Sequence, residues 1–235
     1  MARKQYQGSA EHNNVLFVEG TDDMHVIKGL LGVRGLTEND LRVTVPGTES
    51  SETAGYESLR KEASVVLRNG KFKRLGIVVD ADENMPGRWE SLRAMLIESG
   101  YSEMPSSPMA DGTVISHDTP ELLENAEAPF FTRVGVWIMP DNQLTGAIED
   151  FVRHLVPPEK SLLWDHAEVC VANLPIKPEP INENWKAKAR IHSYLAWQKN
   201  PRTPMGLAIT QRYLDGNSPT ADPFVDWVRR LYELP

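Results

Sequence analysis

The chain has 235 residues, of which 40% are hydrophobic and 25% charged, with a formal net charge of −8. That balance belongs to a folded chain long enough to bury a substantial core, and it excludes a disordered, collagenous or coiled-coil protein. A single cysteine, Cys170, excludes an internal disulfide framework and a cysteine-rich zinc site.

Residues 1–14 are polar and lack the apolar stretch of a secretory leader. The most apolar runs, 15–18, 77–79 and 134–139, are too short to span a bilayer, so the chain is expected to be cytoplasmic, with no membrane partner. Residues 15–18 read as a buried strand. Thr21 then offers a helix N-cap, with Asp22 and Asp23 in a first turn where the helix dipole favours negative charge. That helix continues through Val26, Ile27, Leu30 and Leu31. A second strand spans 41–45 and breaks at Pro46 and Gly47. Leu59, Ala63, Val66 and Leu67 have helical spacing, and Asn69 with Gly70 is a helix stop. Residues 75–79 are the most strand-like of the chain, and Trp89, Leu92, Met95 and Leu96 mark another helix ending at Gly100.

Strands separated by helices of this length predict βαβ units and a mainly parallel sheet. The pattern loosens over 105–129, rich in Pro, Ser and acidic residues, where 112–115 reads as an extra strand or hairpin arm. A strand returns at 134–138. Helices follow over 147–155, 185–198, 206–214 and 224–232. The apolar run 168–174 around Cys170 predicts a buried structural thiol.

Charge is unevenly spread. Residues 184–235 carry eight basic and four acidic residues within a chain that is acidic as a whole. Trp185, Tyr194, Trp197, Tyr213, Trp227 and Tyr232 interleave with the basic residues, a composition suited to a nucleic-acid contact surface. The same composition also describes a helical subdomain whose aromatics are core and whose charges are solvated.

Acidic residues stand at three strand exits: Glu19 followed by Gly20, Asp80 with Asp82, and Asp141 with Glu149 and Asp150 beyond it. In a parallel α/β sheet the carboxyl ends of the strands line one edge, where ligands bind. Residues i and i+2 of an extended segment point the same way, so Asp80 and Asp82 can face one ion, and carboxylate oxygens suit Mg²⁺. A single Asp after a strand is more often a turn residue or a helix cap. The six histidines form no ligand-spaced pair and read as surface or helix residues.

The segments VLFVEGTDDMHVI (15–27) and GIVVDADEN (76–84) resemble the Toprim domain shared by topoisomerases, bacterial primases, small RNA-processing nucleases and OLD-type nucleases. MPDNQLTGAIEDFV (139–152) and KAKARIHSYLAWQ (186–198) resemble a stand-alone bacterial branch near the OLD-type group. The resemblance implies a Toprim/Rossmann-like α/β core over 1–156, with a mainly parallel sheet flanked by helices, and a mostly helical C-terminal extension over 157–235 packed on it. It also implies a Mg²⁺- or Mn²⁺-dependent nuclease, or a related phosphodiester-acting enzyme on DNA or RNA, in phage defence or repair. Glu19 would be the acid–base or metal-binding residue, and Asp80 and Asp82 metal ligands. Glu149, with Asp150 beside it, matches a downstream metal-binding acidic position, and Lys186 or Lys188 matches a lysine near the phosphate. Lys186, Lys188, Arg190, Lys199 and Arg202 are the candidate nucleic-acid contacts.

The departures from that family are specific. No Gly-Lys-Ser/Thr phosphate loop is present, so any ATP dependence requires a separate ATPase subunit. The chain lacks room for strand-passage gates and lacks the zinc-binding cysteines of primases. A non-catalytic Toprim-fold module that binds nucleic acid or a partner ATPase is the alternative. Phosphatase or nucleotidyl-transfer chemistry on a small molecule is a third. The haloacid-dehalogenase pattern for that chemistry expects Thr two positions after an Asp-x-Asp on its first strand, and Asn84 stands there on a later one.

Overall fold

The computed structural model describes residues 14–46, 55–69, 73–118, 132–174 and 183–235. The polar segment 1–13 with His12, the breaks expected at Gly47 and Gly70, and 119–129 of the Pro-rich stretch lie outside them. Five strands form one sheet: β1 (Asn14–Val18), β2 (Arg42–Thr44), β3 (Arg74–Asp80), β4 (Thr113–Ser116) and β5 (Arg133–Met139). Their spatial order is β2-β1-β3-β5-β4, parallel throughout except for β4, which runs antiparallel to β5. The described helices are α1 (Thr21–Val33), α2 (Tyr56–Asn69), α3 (Met85–Ile97), α4 (Ile148–Arg153), α5 (Ser161–Ala172), α6 (Glu183–Ala196), α7 (Met205–Thr210) and α8 (Asp222–Tyr232). The fold is α/β: a mostly parallel sheet flanked by helices, with a helical C-terminal region.

Alternation along the strands divides the core into two layers. Val15, Phe17, Leu75, Ile77, Val79, Val134, Val136 and Ile138 face α2 and α3, which bury Leu59, Ala63, Trp89 and Leu92 against them. Leu16, Val18, Val78, Trp137 and Met139 face α1 and the C-terminal helices, which bury Ile27, Leu30, Phe224, Trp227 and Leu231. The C-terminal helices thus supply half of one core layer. Their aromatics Tyr194, Trp227 and Tyr232 are fully buried, while Trp185 and Trp197 are exposed. The basic and aromatic interleaving therefore divides, and only part of it reaches the surface.

A pair of glycines seats α8. Gly76 on β3 lies opposite Gly135 on β5 in register. A Cβ at Gly135 would stand 2.6 Å from Leu231 Cδ2, and one at Gly76 would run into Leu16 and the Tyr232 hydroxyl. The missing side chains open a trough in the sheet that Trp227, Leu231 and Tyr232 fill. Tyr232 then donates 2.7 Å to the Val15 carbonyl, and Trp227 Nε1 donates 3.1 Å to Thr113 O. Beyond the helix end, Glu233 pairs with Arg74 and Arg133, the opposed first residues of β3 and β5.

Three local expectations are corrected. The cap of α1 is Gly20, in extended conformation, and Thr21 is already the first helical residue without a capping bond. Helix α5 occupies 161–172, where only an apolar run was expected, and Cys170 is half-buried on it, its Sγ 3.6 Å from Nε2 of the exposed His166. The helix expected over 206–214 stops at Thr210, with Arg212 in the left-handed region at φ 59°.

Candidate functional site

The topology creates the crevice. From β1 the chain passes through α1 to β2 on one side, and from β3 it passes through α3 towards β5 on the other, with α1 and α2 on opposite faces. Between the carboxyl ends of adjacent β1 and β3 the connections diverge, and open α/β sheets bind ligands at such a point. Glu19 leaves β1 there and Asp80 ends β3 there. Glu19 Oε1 accepts a 2.9 Å hydrogen bond from the Asp80 backbone N–H. Asp80 Oδ1 in turn accepts from the Ile148 N–H at 3.0 Å, which ties the start of α4 to the same point.

The first residues of α1 and α4 add carboxylates. Asp23 folds back over Gly20, where a Cβ would stand 2.9 Å from Asp23 Oδ2, so the Glu-Gly pair leaves room for a second acid. Glu149 is buried, at 6% exposure, and its Oε2 has no hydrogen-bond partner. Lys188, on α6 packed against α4, places Nζ 3.8 Å from Glu149 Oε1.

Crowding and burial raise the proton affinity of these groups. Burial pushes the Glu19 carboxyl from 4.5 up to about 7, against the nearby Arg88 guanidinium and the Asp80 N–H, which pull it down. Burial, with Glu149 and Asp22 adding repulsion, pushes Asp23 from 3.8 up to about 6. Asp80 is raised well above its ordinary value by burial and then by Asp23, Glu19, Glu149 and Asp82. Glu149 is raised by burial, partly offset by Lys188.

Asp82 faces a different group. Its backbone is left-handed, φ 51°, held by reciprocal hydrogen bonds with Gly146 at 2.8 and 2.9 Å. Its carboxylate pairs with Arg88 on α3. The Arg88 guanidinium lies over the Tyr56 ring, 3.8 Å from its centroid. Asp82, Arg88 and Tyr56 line an open cavity of about 650 Å³ between α2, the 81–84 turn and α3.

The remaining expected site residues are spread more widely. Asp150 Oδ2 accepts from the Ala147 N–H at 2.9 Å and so caps α4. Asp141 caps the turn after β5, accepting from the Gln143 and Leu144 N–H groups at 3.0 and 2.8 Å. Lys186 and Arg190 are half-buried on α6, and Lys199 and Arg202 are exposed in the loop that follows.

A family model described as a protein of unknown function, DUF3226, matches residues 13–233. The chain belongs to the DUF3226 family. No curated protein and no solved structure matches it. The DUF3226 match runs through the α/β core and the C-terminal helices alike.

Two site residues of this DUF3226 chain were not singled out from the sequence as site residues. Asp23 carries a weak signal, an acid in the first helical turn after a strand-exit Glu-Gly. Arg88 carries none, because only the fold brings it back to Asp82. The carboxylate oxygens of Glu19, Asp23, Asp80 and Glu149 are hard donors of the kind divalent cations take, and Glu149 Oε2 is buried without a hydrogen-bond partner. Among the described residues, however, no group of three or more His, Cys, Asp or Glu side chains is arranged to enclose an ion. Nor is any described helix long and apolar enough to cross a membrane.

Proposed function

We propose that this chain is a divalent-cation-dependent enzyme of Toprim type acting on phosphodiesters of DNA or RNA. The observation that carries the reading is the joining of Glu19 and Asp80 at the diverging ends of β1 and β3, beside a buried Glu149 oxygen that lacks a partner. All four carboxyls are raised first by burial, with neighbouring acids adding to it, and a bound divalent cation would favour their ionised forms. Glu19, Asp80, Asp82 and Glu149 would hold Mg²⁺ or Mn²⁺, with Asp82 leaving Arg88 to do so. Such an ion polarises a phosphoryl oxygen and lowers the pKa of bound water. Lys188, beside Glu149, stands where it can neutralise charge on a phosphate. Nucleic acid is the proposed partner, and an ATPase subunit is a further one if turnover depends on ATP.

The test is cleavage of single- and double-stranded DNA and RNA with Mg²⁺ or Mn²⁺, comparing wild type with Glu19→Gln and Asp80→Asn. Metal-dependent cleavage that both variants lose supports the reading, whereas unchanged cleavage by folded variants removes it. The Asp82–Arg88 ion pair favours a second reading, a non-catalytic Toprim-fold module, because an arginine then permanently neutralises one carboxylate of the Asp-x-Asp pair. That module binds nucleic acid or a partner without turnover.

A further inference from the structure

We infer that the exposed face of α6 is a stacking platform for an unpaired base, so that the nucleic acid taken by the neighbouring carboxylate site is single-stranded. The platform deepens the phosphodiester reading, on which it rests, by giving the substrate its form. Helix α6 buries Ala187, Ile191, Tyr194 and Leu195 against the rest of the fold. Trp185, Lys188 and His192, spaced three and four residues apart, stand on its solvent side and are exposed.

Trp185 is 64% exposed, whereas Trp89, Trp137, Trp164 and Trp227 are buried. Trp197 is also exposed, but its ring packs on His166 of α5, with centroids 4.8 Å apart. Trp185 stands one helical turn from Lys188, whose Nζ is 3.8 Å from Glu149 Oε1. A base stacked on the indole therefore lies beside the crevice. From Trp185 to Ala196 the helix carries Lys186, Lys188 and Arg190 and no acidic residue. Lys188 is on one edge of the exposed face, and Lys186 with Arg190, four residues apart, is on the other. Basic groups thus flank the aromatic ring on both sides, the arrangement by which a single strand is held through its bases and its backbone together.

Charge favours one strand over two. The chain has a formal net charge of −8, and Glu149 and Asp23 lie close enough to Lys188 to feel its charge. An acidic protein of this kind gains little from phosphate attraction alone, and a duplex brings about twice the phosphate charge of a single strand per unit length. Stacking supplies affinity that does not depend on net charge. A paired base is already stacked within its duplex and offers the indole no open face, while an unpaired base does. The three basic residues of α6 then have one backbone to follow.

Fluorescence anisotropy of the full chain with labelled oligothymidylate, and with its oligoadenylate duplex of the same length, tests the platform. The titrations are run in EDTA, so that binding alone is read. The single strand is expected to bind tighter than the duplex by about tenfold, and Trp185→Ala to lose about that factor, the scale of one base stack. Because Trp185 is exposed, the variant should keep the unfolding temperature of wild type. Trp185→Phe, which retains a ring, should keep most of the affinity. Equal affinity for the two oligonucleotides, or binding of neither, overturns the platform. Single-strand binding that Trp185→Ala leaves unchanged overturns it as well. Metal-dependent cleavage confined to duplexes defeats the single-strand inference alone. Trp185-dependent binding of the single strand without cleavage of any nucleic acid supports the platform and defeats the enzyme reading alone.

Discussion

Glu19 accepts its hydrogen bond from the backbone of Asp80, so the exits of β1 and β3 are held by one carboxylate that is itself pushed up to about 7. In the unfolded chain this group titrates near 4.5. Between those values the folded protein binds more protons than the unfolded one, so its stability falls as pH rises. The contribution is complete below about 4.5 and is lost as pH passes about 7. Asp23 adds the same sign of change between 3.8 and about 6. For Glu19 alone the loss is about 3 kcal/mol. Urea unfolding in EDTA across this range is expected to show wild type losing stability towards neutral pH. Glu19→Gln, which keeps an oxygen for the Asp80 N–H but cannot ionise, should decline less. Parallel curves for the two proteins would show that Glu19 does not carry the charge cost.

The trough beneath α8 makes a prediction about size alone. Gly135→Ala puts a methyl group 2.6 Å from Leu231 Cδ2 and 3.0 Å from Trp227 Cζ2, two side chains already locked in a full core. Overpacking of that kind costs about 1–3 kcal/mol. Equilibrium denaturation should show a lower midpoint with an unchanged slope. A neutral result would mean that α8 can lift off the sheet without loss.

Tyr232→Phe removes only the hydroxyl that reaches the Val15 carbonyl at 2.7 Å. The site is fully enclosed, and burial keeps that phenol well above its ordinary value, so its O–H stays protonated and donates to Val15. Deleting it should lower unfolding free energy by about 1–2 kcal/mol. Because Gly76 lies against the same hydroxyl, the double variant Gly76→Ala/Tyr232→Phe should cost less than the two single costs added. Strict additivity would argue against their packing together.

The strands and most helices were legible because their apolar residues repeat with the period of the element: Leu16 and Val18 to one face, Val15 and Phe17 to the other. Helix α5 was hidden because Trp164 and Ala167 are its only fully buried residues, leaving Leu162 and Val169 exposed and no apolar stripe to read. Glu19 and Asp80 could be paired from sequence since each follows a strand and parallel neighbours put their exits on one edge, whereas Glu149, on α4, was reached only through the family resemblance. The Asp82–Arg88 pair was not legible. Asp-x-Asp on an extended chain aims both acids one way, yet Asp82 turns left-handed against Gly146 and aims its carboxylate at α3. Tyr194, Trp227 and Tyr232 likewise gave no sign in sequence of whether they belonged to a surface or a core.

Divalent cation brings the acidic site and Arg88 into one measurement. If Mg²⁺ or Mn²⁺ binds the folded chain through these carboxylates, thermal unfolding should shift upward with cation concentration. The gain is about 2.7 kcal/mol when the cation stands at a hundred times its Kd. Asp80→Asn and Glu149→Gln should each blunt the shift. In EDTA both variants should be at least as stable as wild type near neutral pH, because a raised carboxyl has been replaced by a neutral group. Arg88→Ala should act in the opposite direction on binding. It removes the Arg88 partner of Asp82, so the cation no longer competes with that arginine and binds more tightly. Equal shifts in wild type and Asp80→Asn would place the cation elsewhere. A weaker shift in Arg88→Ala would mean that the arginine holds Asp82 in place for the ion instead of competing with it.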